Sequence, residues 1–327
     1  MKKGLLVKLL GVTALTALAI GLAGCSSSSS NKKSSDSSTT TSSKTLAVVI
    51  PSSDHGWEAG VNYYAQQQVK KLGLKKYKIV TSSSVNEQAS QIDDMISQKV
   101  GAIVLQPQTD EVSTAAKKVV KAKIPLVVFD RKVDAKYTGY VAGSNPQIGQ
   151  LSAKKIGDTL KGKGTVAVLN VPSSGSVSAE RTAGFKQVMK KSYPDIKLVN
   201  MTADDFTQEK GLKAATDMLQ SNKQVDGIFS IDDESSIGIL QAVKDAKRTD
   251  IKIISGAGGD QAYFKQIKAG GDITKFTATY SPAMIGDAIK LANKAMNGKD
   301  IKKDTIIAPT IVTKSNVSKF LDAKSPY

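Results

Sequence analysis

Polar and charged residues gather where short apolar runs stop. They stand at Pro51-Ser52-Ser53-Asp54-His55, Gln106-Pro107, Asp130-Arg131, Asn170, Asp232-Asp233-Glu234 and Gly256-Ala257-Gly258-Gly259-Asp260. Carboxylates, amides and guanidinium groups placed this way can hold a polar ligand or, suitably paired, move protons. The sequence has one histidine, His55, and one cysteine, Cys25. Counting therefore excludes an intramolecular disulfide, a CxxC redox motif, a His/Cys zinc cluster and a two-His metalloprotease helix. Histidine acid–base chemistry would have to run through His55 alone.

Enzyme motifs fail on detail. Gly256-Ala257-Gly258-Gly259-Asp260-Gln261 follows a strand pattern and opens a helix, but Gln261 replaces the third glycine of a dinucleotide fingerprint. Gly162-Lys163-Gly164-Thr165 precedes a strand pattern instead of following one, so it reads as a turn rather than a phosphate loop. No strand-to-helix turn carries a Gly-x-Ser-x-Gly elbow. Asp232-Asp233-Glu234 could hold magnesium, yet three acids at a helix start are explained more simply by capping and the helix dipole. No catalytic residue, metal site or cofactor is assigned.

The elements that must position these residues follow from hydrophobic period. From Leu46 onward, short β-branched runs alternate with longer helix-period segments, the pattern of βα units on a parallel sheet. Strands are predicted at 46–50, 77–81, 102–105, 126–129, 140–142, 166–169, 197–201, 227–231, 252–255 and 275–279. Helices are predicted at 57–72, 87–98, 146–160, 179–190, 208–220 and 235–246, among others. With 327 residues, 40% hydrophobic and 23% charged, the chain has the size and balance of about two globular domains. The fold class is α/β, two doubly wound parallel-sheet, Rossmann-like lobes, each with its ligand edge at the carboxyl ends of the strands.

The first residues read as an address. Lys2, Lys3 and Lys8 precede an apolar run that ends in Leu22-Ala23-Gly24-Cys25, so 1–24 is predicted to be a secretory signal. A run of about 15 residues is short for a membrane span. Residues 26–44 comprise 11 Ser, three Thr, three Lys, one Asn and one Asp. Segment 25–44 is therefore predicted to be a flexible tether, with a reach of roughly 25 Å. The net charge of +17 is dispersed, with no arginine-rich segment, and fits a basic surface beside an anionic envelope better than a nucleic-acid site.

Leu22-Ala23-Gly24-Cys25 resembles the lipobox of bacterial lipoproteins, which implies acylation of Cys25. The lipobox, tether and two βα halves resemble the substrate-binding lipoproteins of ABC sugar importers, in the ribose/galactose branch of class I periplasmic binding proteins. The residues that carry this are Val127-Val128-Phe129-Asp130-Arg131, Ser178-Ala179-Glu180-Arg181-Thr182-Ala183-Gly184-Phe185, Asp204-Asp205-Phe206-Thr207-Gln208-Glu209-Lys210-Gly211 and Phe229-Ser230-Ile231-Asp232-Asp233-Glu234. The resemblance covers 45–314. It implies a three-crossing hinge near Gly143, Tyr280-Ser281 and Pro309, with an N-terminal lobe of 45–143 plus 281–308 and a C-terminal lobe of 144–280 plus 309–327. It also implies a monosaccharide or related polyol in the interlobe cleft, delivered to ABC permease subunits by a monomeric, lipid-anchored protein on the extracytoplasmic face of a Gram-positive-type membrane.

On the same resemblance the ligand-binding residues are Asp54, His55, Trp57, Asp130 and Arg131 from the first lobe, Arg181, Phe206 and Asp232 from the second, and Tyr280 at the hinge. Each has a local alternative: Asp130 and Arg131 can pair with each other, Arg181 can brace a helix, and Trp57 and Phe206 can be core. Two departures bear on the ligand. Ala257 stands where ribose binders carry Asp, and Glu58 where they carry a second aromatic. Another pentose or hexose, a furanose or a polyol is left open. A sensory receptor lipoprotein uses the same fold, and a surface-anchored glycosidase would use the same carboxylates.

Overall fold

A computed structural model describes residues 44–53 and 56–327. The predicted signal 1–24, most of the tether, Cys25, Asp54 and His55 lie outside the described residues.

Twelve strands and nine α-helices alternate along the described residues. The first sheet is built from β1 (Leu46–Pro51), β2 (Tyr77–Ser82), β3 (Ala102–Leu105), β4 (Leu126–Phe129) and β5 (Gly139–Gly143), in the order 2-1-3-4-5. The helices between them are α1 (Gly56–Lys71), α2 (Val85–Ser97) and α3 (Ser113–Lys121). Successive residues of β1 serve opposite faces: Leu46, Val48 and Ile50 pack in one core, Ala47 and Val49 in the other. A strand buried on both sides must be apolar throughout, which is why it reads as a continuous run rather than an alternation.

The second sheet repeats this plan with β6 (Gly164–Asn170), β7 (Ile196–Thr202), β8 (Gly227–Phe229), β9 (Ile253–Gly258) and β10 (Thr274–Thr279), in the order 7-6-8-9-10. Its helices are α4 (Asn145–Thr159), α5 (Ser176–Ser192), α6 (Gln208–Ser221), α7 (Asp233–Asp245) and α8 (Gln261–Ala269). In both sheets the strand order reverses beside the first strand of the unit, and the crevice outside the strand ends at that point is where such folds bind ligands.

Three segments link the sheets. β5 ends the first βα series and leads into α4, which packs on α5, β9 and β10. After β10 the chain passes Tyr280 into α9 (Ile285–Met296), which packs on α1, β3, β4 and β5. Finally β11 (Asp304–Ile307) adds to the first sheet beside β5, and β12 (Ile311–Val312) to the second beside β10.

β12 runs antiparallel to β10, so the second sheet is parallel except at this edge. The reason is direction: β11 runs parallel to β5, toward the link between the sheets, and only three residues on β12 enters the second sheet from the end where β10 stops. β8 stops at Phe229 rather than at the predicted Ile231, because Ser230 turns and its hydroxyl donates to the Asp232 carbonyl at 2.9 Å.

Candidate functional site

The site is best built outward from Tyr280, which lies just after β10 and is 4% exposed. Its N–H donates to the Gly258 carbonyl at 2.6 Å, which fixes the chain against the end of β9. Its carbonyl accepts the Trp57 indole Nε1–H at 2.7 Å. Its hydroxyl donates to Asp130 Oδ1 at 2.6 Å. The Arg181 guanidinium lies 4.9 Å from its ring centroid, within cation–π range. Burial, then the Asp130 carboxylate, push the phenol well above its ordinary range, so it stays a donor.

Each partner is held by its own element. Asp130 has φ of 65°, a left-handed conformation that a residue with a side chain adopts only when its surroundings enforce it. Here its N–H donates to the Val141 carbonyl at 2.9 Å, and its carbonyl accepts the Tyr140 hydroxyl at 2.7 Å. Arg131 spans outward, donating to the Gln108 carbonyl at 2.8 Å and lying 3.4 Å from Glu58 Oε1 and 3.7 Å from Asp130 Oδ2. Trp57 opens α1 and stacks on Phe129, with centroids 5.8 Å apart and planes at 7°.

Arg181 is 5% exposed on α5 and donates from Nε to Asn145 Oδ1 at 2.9 Å and from Nη1 to the Ile231 carbonyl at 2.6 Å. Asp232 caps α7 by accepting the Ser235 N–H at 2.8 Å. Burial drives its carboxyl well above the usual range. Asp233, next to it, points away and accepts the Gly259 and Asp260 N–H groups at 2.7 and 3.0 Å. Phe206 packs on the core of the second lobe.

Trp57, Asp130, Arg131, Arg181, Phe206, Asp232 and Tyr280 line one cavity of about 80 Å³, together with Glu58, Val177, Ala257, Gly258 and Tyr327. A wider groove of about 850 Å³ shares Asp130, Arg131 and Val177 with it. The local alternatives also hold in part, since Arg181 braces Asn145 and Trp57 packs at the core edge. Glu58 and Ala257, noted only as departures, are cavity walls. Tyr327 was not anticipated at all, for it follows Pro326 in a segment with no period to read. Among the described residues no group of three or more His, Cys, Asp or Glu is placed to hold a metal ion.

Chemically, the cavity offers carboxylate acceptors, guanidinium donors and aromatic faces. Hydrogen bonds to ionised groups are the strong ones, and aromatic faces cover apolar C–H surface.

Comparison with known proteins bears on the family and the fold. Residues 46–300 match the family described as periplasmic binding protein domain. The ribose import binding protein RbsB of Bacillus subtilis is 30% identical over 250 residues, covering 75% of this chain and 78% of that protein. A xylitol-binding protein of Mycolicibacterium smegmatis is 28% identical over 239 residues, covering 72% and 68%. An ABC transporter periplasmic solute binding protein from Actinobacillus succinogenes, solved with bound D-allose, superposes with a TM-score of 0.77 at 25% identity, covering 84% of this chain and 99% of that one.

Proposed function

The chain belongs to the periplasmic binding protein family, and from that premise we propose that it captures a monosaccharide or related polyol outside the cytoplasm and delivers it to an ABC permease. It is a binding protein and not an enzyme. The observation that carries the reading is the convergence of charged hydrogen-bonding groups and aromatic faces from both lobes on one cavity. Vicinal hydroxyls both donate and accept, so they suit Asp130, Asp232, Arg131 and Arg181, while the C–H face of a ring suits Trp57 or Phe206. In this reading the lobes comprise 45–143 plus 281–308 and 144–280 plus 309–327, and Asp54 and His55 complete the first lobe's share.

A ligand that touches both lobes binds the closed form better than the open one, and that difference shifts the population toward closure. The protein acts as a monomer, tethered through acylated Cys25, as the lipobox supports. Because one acyl chain binds membranes only marginally, stable anchoring needs more than one chain there. Mass spectrometry of the native N-terminus reads the anchor; an unmodified Cys25 contradicts it.

Equilibrium dialysis against a panel of sugars and polyols tests the function. The expected result is selective retention of one or a few, recovered chemically intact. Retention of none contradicts the sugar reading, and conversion of the ligand contradicts the binder reading.

A further inference from the structure

The segment beyond β12 touches both lobes before it reaches the cavity. On the second lobe, Gln261 of α8 donates to the Phe320 carbonyl at 3.3 Å and accepts the Asp322 N–H at 2.8 Å. On the first, the Tyr64 hydroxyl of α1 reaches Asp322 Oδ2 at 3.5 Å. The chain then folds back: Ser325 N–H donates to the Asp322 carbonyl at 3.2 Å, and Lys324 N–H to Asp322 Oδ1 at 2.9 Å.

This turn delivers Tyr327, 3% exposed, between Gly60 of α1 and Gly258 at the end of β9. A Cβ at Gly60 would stand 3.1 Å from the Tyr327 Cβ, and one at Gly258 only 2.1 Å from the Tyr327 hydroxyl oxygen. Both glycines leave room for this residue, Gly60 at its Cβ and Gly258 at its phenol, one on each lobe. Burial, followed by the charges of Asp233 and Asp232, pushes that phenol well above its ordinary range and keeps it protonated. Its ring is a wall of the same cavity as Trp57, Arg181 and Asp232.

We infer that Tyr327 is a specificity-determining residue, a wall carried in from outside the βα framework that limits the size of the solute the cavity accepts. This rests on the sugar-binding reading above. Dissociation constants of wild type, Tyr327→Phe, Tyr327→Leu and Tyr327→Ala for D-ribose, D-allose, xylitol and a wider set of pentoses, hexoses and polyols test it.

Tyr327→Ala should lose about tenfold or more for the solute that wild type binds best, as changes to a shaped pocket do. It should lose less for larger solutes, so that the ranking shifts toward them, and Tyr327→Phe should keep the wild-type ranking. Thermal unfolding of the unliganded variants reports folding, and Tyr327→Leu serves if the alanine variant fails to fold. A wild-type ranking with affinities within about twofold overturns the inference. Uniformly tighter binding of every solute by the alanine variant also overturns it, because the ring would then be a plug and not a wall. A wild-type protein that binds nothing in the set contradicts the sugar reading itself, and the wall with it.

Discussion

Trp57 shows how a residue can serve the core edge and the ligand at once. One face stacks on Phe129 and the indole N–H is spent on the Tyr280 carbonyl, yet the ring still lines the cavity. Solute binding should therefore change the emission of this sole tryptophan, and Trp57→Ala should weaken binding by about 2 kcal/mol or more, as loss of a central aromatic anchor does. Its stability should fall by less than the ~3–5 kcal/mol of a fully buried aromatic, because the side chain is only partly buried. A variant that is strongly destabilised but binds normally would make Trp57 core alone. The residue types around the cavity were legible because Asp-Arg and Glu-Arg motifs end or begin elements. Tyr327 was not, because neither period nor motif marks it.

Asp233 carries a pH prediction. Burial pushes its carboxyl up to about 7, against an ordinary value near 3.8. The folded chain thus keeps a proton that the unfolded chain has released, so this stabilisation is complete below about pH 4 and is lost as pH rises toward about 7. Burial raises Asp232 and Asp260 in the same direction. The melting temperature should fall between about pH 4 and 7, and Asp233→Asn, which cannot ionise, should show a shallower fall. An identical slope for the variant would contradict the assignment.

Among the elements, the pairing of α4 with α5 decides where Arg181 stands. A Cβ at Gly149 would lie 1.9 Å from the Arg181 carbonyl oxygen, and one at Gly184 would lie 2.2 Å from that of Pro146. Two helices this close tolerate no side chain at either crossing point. Gly184→Ala should therefore cost about 1–3 kcal/mol in urea unfolding, as overpacking does. It should also weaken solute binding by moving Arg181. Unchanged stability would mean that the helices can separate freely. Gly184 was legible as part of a motif, but the motif says nothing of the backbone it must face. β11 and β12 escaped sequence reading for a related reason: four and two residues, half of them exposed in β11, form no apolar run and become strands only by pairing with β5 and β10 at the sheet edges.

At the scale of the whole molecule, two sheets of the same strand order bring their polar strand ends together. Apolar runs buried on both faces make the βα alternation plain in the sequence, and the carboxyl-end rule places the polar residues at the ligand edge. What composition and period could not supply is the set of links between the lobes. Tyr280, 150 residues along the chain from Asp130, ties that residue to Arg181 on one side, and the 320–327 segment spans both lobes on another.

The claim that one solute is held jointly by both lobes is open to a direct calorimetric titration, using the sugar or polyol retained in dialysis. Wild type should bind one molecule per chain. Asp130→Ala and Arg181→Ala, one from each lobe, should each weaken it by about 2 kcal/mol or more, since each removes a buried charged partner. The double variant, shown to be folded by its melting curve, should give no measurable heat. Wild-type affinity in that folded double variant would place the solute elsewhere and contradict the site.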